Sequence, residues 1–255
     1  MISAILVVRN EEENIKGCLE NLNWVDEIIV VDQSSTDTTT EICREFTDKV
    51  FVTENKGFCE PDRKFAEEKT KGDWILYIDA DERVSSELIE EIKNSVKSDK
   101  YDVHYIPRKN FFLGEWIKHC GWYPGYVPRL FRKGKVKFPD KIHKDIIPLG
   151  TVGYLKNDIL HYSYVNLEQY FEKFNRYTSQ LAKDEFEKKR RINSFNLIWY
   201  FFVKPSIYFF FKYFRKRGFL DGMRGLLISI FTFLTVFVQY TKLWEIQEKD
   251  DRKQH

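Results

Sequence analysis

The chain has 255 residues, with 41 Lys and Arg against 39 Asp and Glu, a formal net charge of +2. A compact chain of this length buries roughly 70–75% of its unfolded surface, so it needs neither disulfides nor a structural metal to fold. The balanced charge argues against nucleic acid as a partner, and the four widely spaced cysteines predict reduced thiols rather than a zinc or redox site. The first residues lack a basic region and a cleavage site, which predicts no signal peptide.

Short apolar runs alternate with amphipathic runs through the first half of the chain. Capping-box patterns, Asn10 with Glu13 and Thr38 with Glu41, predict the starts of the first two helices. This alternation predicts an α/β fold, a mostly parallel sheet with helices on both faces. The predicted strands are Ile2–Val8, Glu27–Val31, Val50–Val52, Trp74–Ile78 and Val103–Ile106, and later helices are predicted at Asp62–Thr70 and Ser85–Val96.

Polar residues follow three of these strands, where parallel sheets bind their ligands. Asn10 follows the first strand, Asp32 ends the second, and Asp79 and Asp81 follow the fourth. In an extended chain the last two carboxylates point the same way. Because like charges that close repel, a divalent cation that also binds a diphosphate is expected between them. A capped turn is the alternative.

Other features narrow the kind of ligand. The chain lacks GxGxxG and Walker patterns, which makes a dinucleotide dehydrogenase or a P-loop NTPase unlikely. The segment from Asp32 to Asp37 offers carboxylates and hydroxyls that accept from a uracil N–H and from ribose, although Thr36 and Asp37 also suit helix capping. Arg63 and Lys64 precede an apolar helix and either approach the diphosphate or form a solvated surface pair.

The second half has a different composition. Arg132 to Lys135 predicts a hairpin turn, and Asn166 with Gln169 predicts the start of a long helix. We therefore predict a catalytic domain over residues 1–165 and a helical C-terminal region over 166–255.

The C-terminal region contains two apolar segments. Phe195–Phe214 is apolar nearly all round, with Pro205 expected to break or kink it. The end of this segment contains a cluster of basic residues that suits the anionic headgroups of lipids. They are Lys212, Arg215, Lys216 and Arg217. The uncharged run Gly225–Thr241 is short for a spanning helix, which favours in-plane or re-entrant seating in a membrane. The alternative is packing on the catalytic domain or an oligomer interface.

The ordered motifs VVRNEEENI, WVDEIIVVDQSSTDTT and GDWILYIDADERV resemble the nucleotide-binding half of the inverting GT-A glycosyltransferases of family two. Later segments, among them RKNFFLGEWIKHCGWYP, RLFRKGKVKF, LHYSY and GFLDGMRGLLISI, resemble the glucosyltransferase branch that modifies lipopolysaccharide core sugars. The resemblance extends from Ile2 to about Glu245. It implies a GT-A fold, a Rossmann-like sheet, followed by a membrane-associating helical region.

The resemblance also implies roles for individual residues. The donor would be held by residues at the strand ends, and Mg²⁺ or Mn²⁺ by Asp81 with Asp79. The implied donor contacts are Val8, Asn10 and Glu11 at the uracil, Asp32 as acceptor from the base, Arg63 or Lys64 at the diphosphate or the base edge, and Asp79 near the ribose. His143 is our candidate for the histidine that often completes metal coordination in GT-A enzymes, with a structural imidazole as the alternative.

The sequence departs from its relatives where a general base is expected. Relatives usually read Trp-Tyr-Pro-Asp and Val-His-Glu, whereas this chain ends the first motif on Gly125 and the second on Lys144. Asp140 and Asp145 flank His143, and either can supply the missing carboxylate or be a loop-turn residue.

The sequence thus predicts a metal-dependent inverting glycosyltransferase that moves a sugar, best guess glucose, from a UDP-sugar to a lipid-linked saccharide such as lipopolysaccharide core. We expect it to be cytoplasmic and peripheral on the inner face of the cell membrane, with homo-oligomers as an open question. The alternatives are a polyprenyl-phosphate glycosyltransferase and a membrane-bound pseudoenzyme that scaffolds glycan assembly.

Overall fold

A computed structural model describes residues 1–55, 60–139 and 146–252 of the chain. The chain divides into two compact units, one of Met1–Lys109 with Pro124–Tyr162, and one of Asn110–Tyr123 with Ser163–His255. Segment 110–123 of the second unit lies inside the stretch predicted as the catalytic domain. The functional boundary after residue 165 stays a prediction.

The strands and helices alternate in the first half, as predicted. The strands are β1 Ile2–Val8, β2 Glu27–Asp32, β3 Val50–Val52, β4 Trp74–Tyr77, β5 Glu82–Val84, β6 Val103–Ile106, β7 Arg108–Phe112, β8 Glu115–Trp116, β9 Val127–Arg132, β10 Val136–Lys137, β11 Ile147–Pro148, β12 Val152–Tyr154 and β13 Ile159–Tyr164. The α-helices are α1 Glu12–Asn21, α2 Thr39–Phe46, α3 Glu60–Lys69, α4 Ser86–Ser98, α5 Leu167–Glu187, α6 Lys204–Phe210 and α7 Gly222–Asp251.

The first unit is built on a seven-stranded sheet in the order β12-β6-β9-β4-β1-β2-β3. Strands β4, β1, β2 and β3 run parallel to one another, and β12 runs parallel to β6. Strand β9 lies between β4 and β6 and is antiparallel to both. The sheet is therefore mostly parallel, with one reversed strand, which agrees with the predicted fold class.

Successive residues of the central strands face opposite sides of the sheet, so each strand contributes to two apolar cores. Ala4 and Leu6 of β1 join the core that includes buried residues of α1, α2 and α4. Ile5 and Val7 join the other core, which includes Ala66 of α3. Burial on both faces explains why these strands are continuous apolar runs rather than alternating ones.

The predicted helix starts were right in some places and wrong in others. Asn166 accepts a hydrogen bond from the Gln169 N–H at 2.8 Å and caps α5 as predicted. Asn10 does not cap α1, because it adopts a left-handed conformation with φ of 52° and the helix begins two residues later. Thr38 occupies the cap position of α2, but its hydroxyl donates to Glu12 instead of capping the helix. Hydrogen bonds between the two loops replace both expected caps.

The predicted hairpin at Arg132–Lys135 is a turn without a hairpin. The Lys135 N–H donates to the Arg132 carbonyl at 3.0 Å, and Gly134 supplies the positive φ of 76° that the turn requires. Strand β10 then pairs with β11 instead of returning along β9. It has no place beside β9, because β4 and β6 already occupy both of its edges.

The second unit is helical, and α7 packs against both α5 and α6. Pro205 does not end the helical run that contains it. Trp199–Val203 forms a π-helical segment in which the Lys204 N–H donates to the Trp199 carbonyl, and α6 follows directly. Proline cannot donate the backbone hydrogen bond of its position, and the wide π-helical turn directly before α6 is where the helical run accommodates it.

One helix among the described residues, over Gly218–Asp251, is long and apolar enough to cross a bilayer. Length and composition are the only grounds for this, and core helices of water-soluble proteins meet the same two conditions.

Glu27, at the start of β2, is a buried carboxylate whose pKa is lowered by its neighbours. Burial alone would raise this pKa, but hydrogen bonds from Lys49, Ser3 and the Lys71 N–H together lower it below the usual 4.5. A lowered pKa stabilises the fold above pH 4.5, and this contribution is lost as the pH falls through the folded-state value.

We therefore expect Glu27→Gln to lower the free energy of unfolding by about 1–3 kcal/mol at pH 7. The difference from wild type should shrink as the pH falls below 4.5, measured by denaturant titration at several pH values. Glu45→Gln, on an exposed position of α2, is the control and should change little. A Glu27→Gln effect that grows in acid would contradict this assignment.

Candidate active site

The strand register brings the polar residues that follow β1, β2 and β4 to one edge of the sheet. Val8 of β1 lies opposite Asp32 of β2, and Ile5 of β1 lies opposite Tyr77, the last residue of β4. Because all three strands run parallel, the loops that contain Asn10, Asp32 and the Asp79/Asp81 pair all leave the sheet on the same side. This juxtaposition was predicted from the strand ends.

Asp32 is buried, and hydroxyl groups of the following loop and of α2 bind its carboxylate. Its Oδ1 accepts from the Ser35 N–H at 3.1 Å and from the Ser35 hydroxyl at 2.5 Å. Its Oδ2 accepts from the Thr40 hydroxyl. A carboxylate oxygen accepts about two hydrogen bonds, so Oδ2 retains capacity for a further donor, such as a pyrimidine ring N–H.

Hydrogen bonds connect the loop after β1 to the loop after β2. The Asn10 N–H donates to the Ser35 hydroxyl at 2.9 Å, and Asn10 Oδ1 accepts from the Thr36 N–H at 2.8 Å. The Glu11 N–H donates to the Thr39 hydroxyl at 2.8 Å. These bonds explain the left-handed conformation of Asn10, a residue type that tolerates it. They also hold the two loops as one rim beside Asp32.

The structure distinguishes the two basic residues at the start of α3. The Arg63 guanidinium carbon lies 4.6 Å from the centre of the Tyr77 ring, at the end of β4. Lys64, one residue later on the helix, is exposed. Arg63 thus faces the strand edge that contains Asp79, which makes it the better placed of the two for a diphosphate there.

The two aspartates of the Asp-x-Asp motif lie in a turn and not in an extended strand. Strand β4 ends at Tyr77, and the Glu82 N–H donates to the Asp79 carbonyl at 2.9 Å. Asp79 is bound by the Arg129 guanidinium and the Tyr77 hydroxyl, whereas Asp81 lies 3.4 Å from His161 Nε2. Asp79 and Asp81 therefore do not lie in an extended segment as expected, and each has a separate protein partner. That the two carboxylates bind one cation stays a prediction.

Asp79 belongs to a buried charge network that the sequence did not reveal. Glu82 is fully buried, accepts from the Asp79 N–H at 3.1 Å and pairs with Arg129 at 2.7 Å. Arg108 approaches the same Glu82 carboxylate at 3.5 Å. Burial alone would raise the pKa of Asp79, but Arg129 and Arg63 hold it well below its usual range. Asp79 therefore stays ionised and its orientation is fixed.

Asp81 and His161 form the pair that fits a divalent cation best. Pairing of β13 with β5 places His161 opposite Glu82, one residue from Asp81. Among the described residues no cluster of three or more His, Cys, Asp or Glu side chains is arranged to hold a metal ion. A carboxylate and an imidazole fit a cation that takes its remaining ligands from water and phosphate oxygens, as Mg²⁺ commonly does.

Three residues predicted for this site lie outside the described part of the chain. They are the general-base candidates Asp140 and Asp145 and the metal-ligand candidate His143. His161 was missed because the sequence offers no local signal that it lies beside Asp81. Its only sequence signal was its place in the LHYSY segment, which the family resemblance included.

The fold and the site define a class of protein: an α/β protein with a mostly parallel sheet and acidic residues beyond the carboxyl ends of its strands, where such sheets bind their ligands. The chain belongs to glycosyl transferase family 2, whose family model matches residues 3–147. It is therefore a glycosyltransferase, and the predicted family is confirmed.

Sequence relatives agree with this membership over nearly the whole chain, and a solved structure agrees with the fold. An uncharacterized glycosyltransferase of Rickettsia typhi is 31% identical over 263 residues, covering 97% of this chain and 88% of the relative. The lipopolysaccharide core biosynthesis glycosyltransferase LpsC of Rhizobium meliloti is 28% identical, covering 94% and 92%. S. aureus TarS residues 1–349, solved with UDP, has a TM-score of 0.52 at 16% identity, covering 98% and 91%, and supports the GT-A fold.

Proposed function

We propose that this protein transfers glucose, with inversion, from UDP-glucose to a lipid-linked saccharide of the lipopolysaccharide-core kind. The reaction takes place on the cytoplasmic side of the cell membrane. The similarity to LpsC supports the acceptor class, and the UDP complex of TarS supports the donor class as an analogy at the level of fold.

One observation carries the proposal, namely the convergence of Asp32, Asp79 and Asp81 on one sheet edge. Asp32 accepts the uracil N–H, and the rim formed by Val8, Asn10 and Glu11 borders the base. Asp79, fixed by Arg129, accepts from a ribose hydroxyl. The acidic edge would repel a diphosphate unless a cation and Arg63 offset its charge.

Asp81 and His161 are proposed to hold Mg²⁺ or Mn²⁺, and His161 replaces His143 as our preferred imidazole ligand. When bound, the cation supplies charge stabilisation for the departing diphosphate. Asp81 would hold the cation in place, and Arg63, on α3, contributes a positive charge of the protein itself toward the diphosphate. Asp140 or Asp145 is proposed to take the proton from the acceptor hydroxyl as it attacks the anomeric carbon.

Product analysis tests this function. Purified protein is incubated with Mn²⁺ and radiolabelled UDP-glucose, with either lipopolysaccharide core or a polyprenyl phosphate as acceptor. We expect label in the core saccharide, with the new bond of inverted configuration by NMR. Asp73→Ala, an exposed carboxylate at the opposite end of β4, is the control that should transfer normally.

The other outcomes distinguish the alternatives. Label on the polyprenyl phosphate would replace the acceptor assignment while keeping the donor. Binding of UDP-glucose without transfer to either acceptor would favour the pseudoenzyme scaffold. That alternative was considered because the carboxylates usual in the family are absent from this sequence. Transfer from another nucleotide sugar, with UDP-glucose inactive, would overturn the choice of glucose.

A further inference from the structure

The helical stretch before α7 exposes an apolar surface. We define the aromatic face as Phe195, Trp199, Phe202, Phe210, Phe214 and Phe219, each of them at least 46% exposed. Exposed apolar patches of this extent on a folded protein mark an interaction surface. Trp199 and Phe202 are three residues apart on the helical stretch, and Phe210 and Phe214, four residues apart, stack with ring centres 5.8 Å apart. Phe195 and Phe219 lie in the turns before and after that stretch.

The opposite side of the same helix packs on α7. The rings of Tyr200 and Tyr240 lie 4.3 Å apart, and the Lys204 ammonium donates to the Tyr240 hydroxyl at 2.6 Å. Phe201 packs on Phe237 with ring centres 5.5 Å apart. These contacts seat the helix on one side and leave the aromatic face pointing away from α7.

A cluster of positive charge lies near one end of the aromatic face, between Phe214 and Phe219. Arg215, Lys216 and Arg217 are all exposed, and none forms an ion pair with any residue that the structure describes. The sequence has no Asp or Glu between Glu187 and Asp221. Arg190 and Arg191, before the aromatic face, are by contrast already paired with Glu185 and Asp251. The unneutralised charge is therefore concentrated at one end of the apolar surface.

Hydropathy points to a different helix. The span that is long and apolar enough to cross a bilayer is α7 with the short turn before it. Along residues 224–243, however, only Ile230 is exposed, and the other side chains are buried or half-buried. Helix α7 packs against α5 and α6, whereas every residue of the aromatic face is exposed.

We propose that the aromatic face and the cations Arg215, Lys216 and Arg217 form a docking surface for a bilayer rich in anionic lipid. The helix lies in the membrane plane, with its aromatic rings at the acyl boundary and the cations among the headgroups. This inference specifies the membrane partner of the proposed function, but it rests on contacts within the second unit alone. A second copy of the chain is a poor occupant, because two acid-free cationic surfaces repel each other.

Vesicle flotation of the full chain, without nucleotide or acceptor, tests the proposal independently of sugar transfer. Vesicles of phosphatidylcholine with phosphatidylglycerol should bind the protein, and pure phosphatidylcholine should bind it far more weakly. The double variant Arg215→Gln/Arg217→Gln should bind anionic vesicles roughly tenfold or more weakly, and Phe210→Ser/Phe214→Ser at least about tenfold more weakly. Ile230→Ser, on α7, is the matched control and should bind normally.

Two further measurements test whether the variants are folded and whether something other than a lipid surface binds the aromatic face. Unchanged UDP binding and circular dichroism would show that the variants are folded, and bound protein should be released by alkaline carbonate. Carbonate-resistant protein, or binding lost in Ile230→Ser alone, would assign α7 as a spanning helix and overturn the proposal. A dimer in solution that dissociates in Phe210→Ser/Phe214→Ser, without vesicle binding by wild type, would also overturn it.

Discussion

Replacing Asp81 with alanine should abolish Mn²⁺-dependent binding of UDP and reduce sugar transfer at least about a hundredfold. Asp81 is the carboxylate proposed to hold the cation, and charge stabilisation of a leaving diphosphate by a metal is worth several kcal/mol. Each 1.36 kcal/mol corresponds to about a tenfold change in rate. Calorimetric titration of UDP with and without Mn²⁺ measures the binding directly.

The histidine variants decide between two metal-ligand assignments. His161→Ala should weaken Mn²⁺-dependent binding, because its imidazole lies 3.4 Å from Asp81. If His143→Ala has the larger effect, the assignment made from the sequence is the better one. Asp73→Ala, at the exposed position directly before β4, should bind as wild type does. UDP binding that persists in Asp81→Ala and still depends on Mn²⁺ would overturn the proposed site.

Replacing Arg129 with methionine should lower the free energy of unfolding by about 3–5 kcal/mol, the usual cost of removing one partner of a buried ion pair. Arg129 is buried between Asp79 and Glu82, and its loss leaves two carboxylates without their shared cation. The loss should be smaller in acid, where protonation of Asp79 removes one unpaired charge. Urea titration at pH 7 and at pH 4 measures both effects.

Arg132, also on β9, is a matched control for this effect. Its guanidinium pairs with Asp99 at a site where both side chains are at least a third exposed, so Arg132→Met should cost at most about 1 kcal/mol. Adding Glu82→Gln to Arg129→Met should recover part of the loss, because one buried charge is then removed. Equal destabilisation by Arg129→Met and Arg132→Met would mean that the buried network contributes little.

The location of the acidic edge was predictable because it depends on local patterns. Continuous apolar runs identified β1, β2 and β4, and parallel strands place their carboxyl ends on one side. Asp32 and Asp79 were therefore placed from the sequence without knowledge of the strand order. The chemistry of the edge followed from residue type, since hydroxyls and carboxylates accept hydrogen bonds and bind hard cations.

The partners of those residues were not predictable in the same way. Arg129 reaches Asp79 because β9 inserts antiparallel between β4 and β6, and nothing within the VPRLFR segment indicates which strands it will join. His161 reaches Asp81 through the pairing of β13 with β5, some 80 residues apart in sequence. Asn10 is not the expected cap of α1, because hydrogen bonds to Ser35 and Thr36 determine its conformation.

Side-chain periodicity and strand-end residues are properties of short segments, which is why the fold class, the family and the acidic edge could be predicted before the structure was known. The tertiary structure alone decided that Arg129 fixes Asp79, that His161 accompanies Asp81, and that α7 packs inward while the aromatic face points outward. Which distant segments pair depends on how the whole chain packs. The spacing of apolar residues within one segment indicates only its secondary structure and which of its faces is buried.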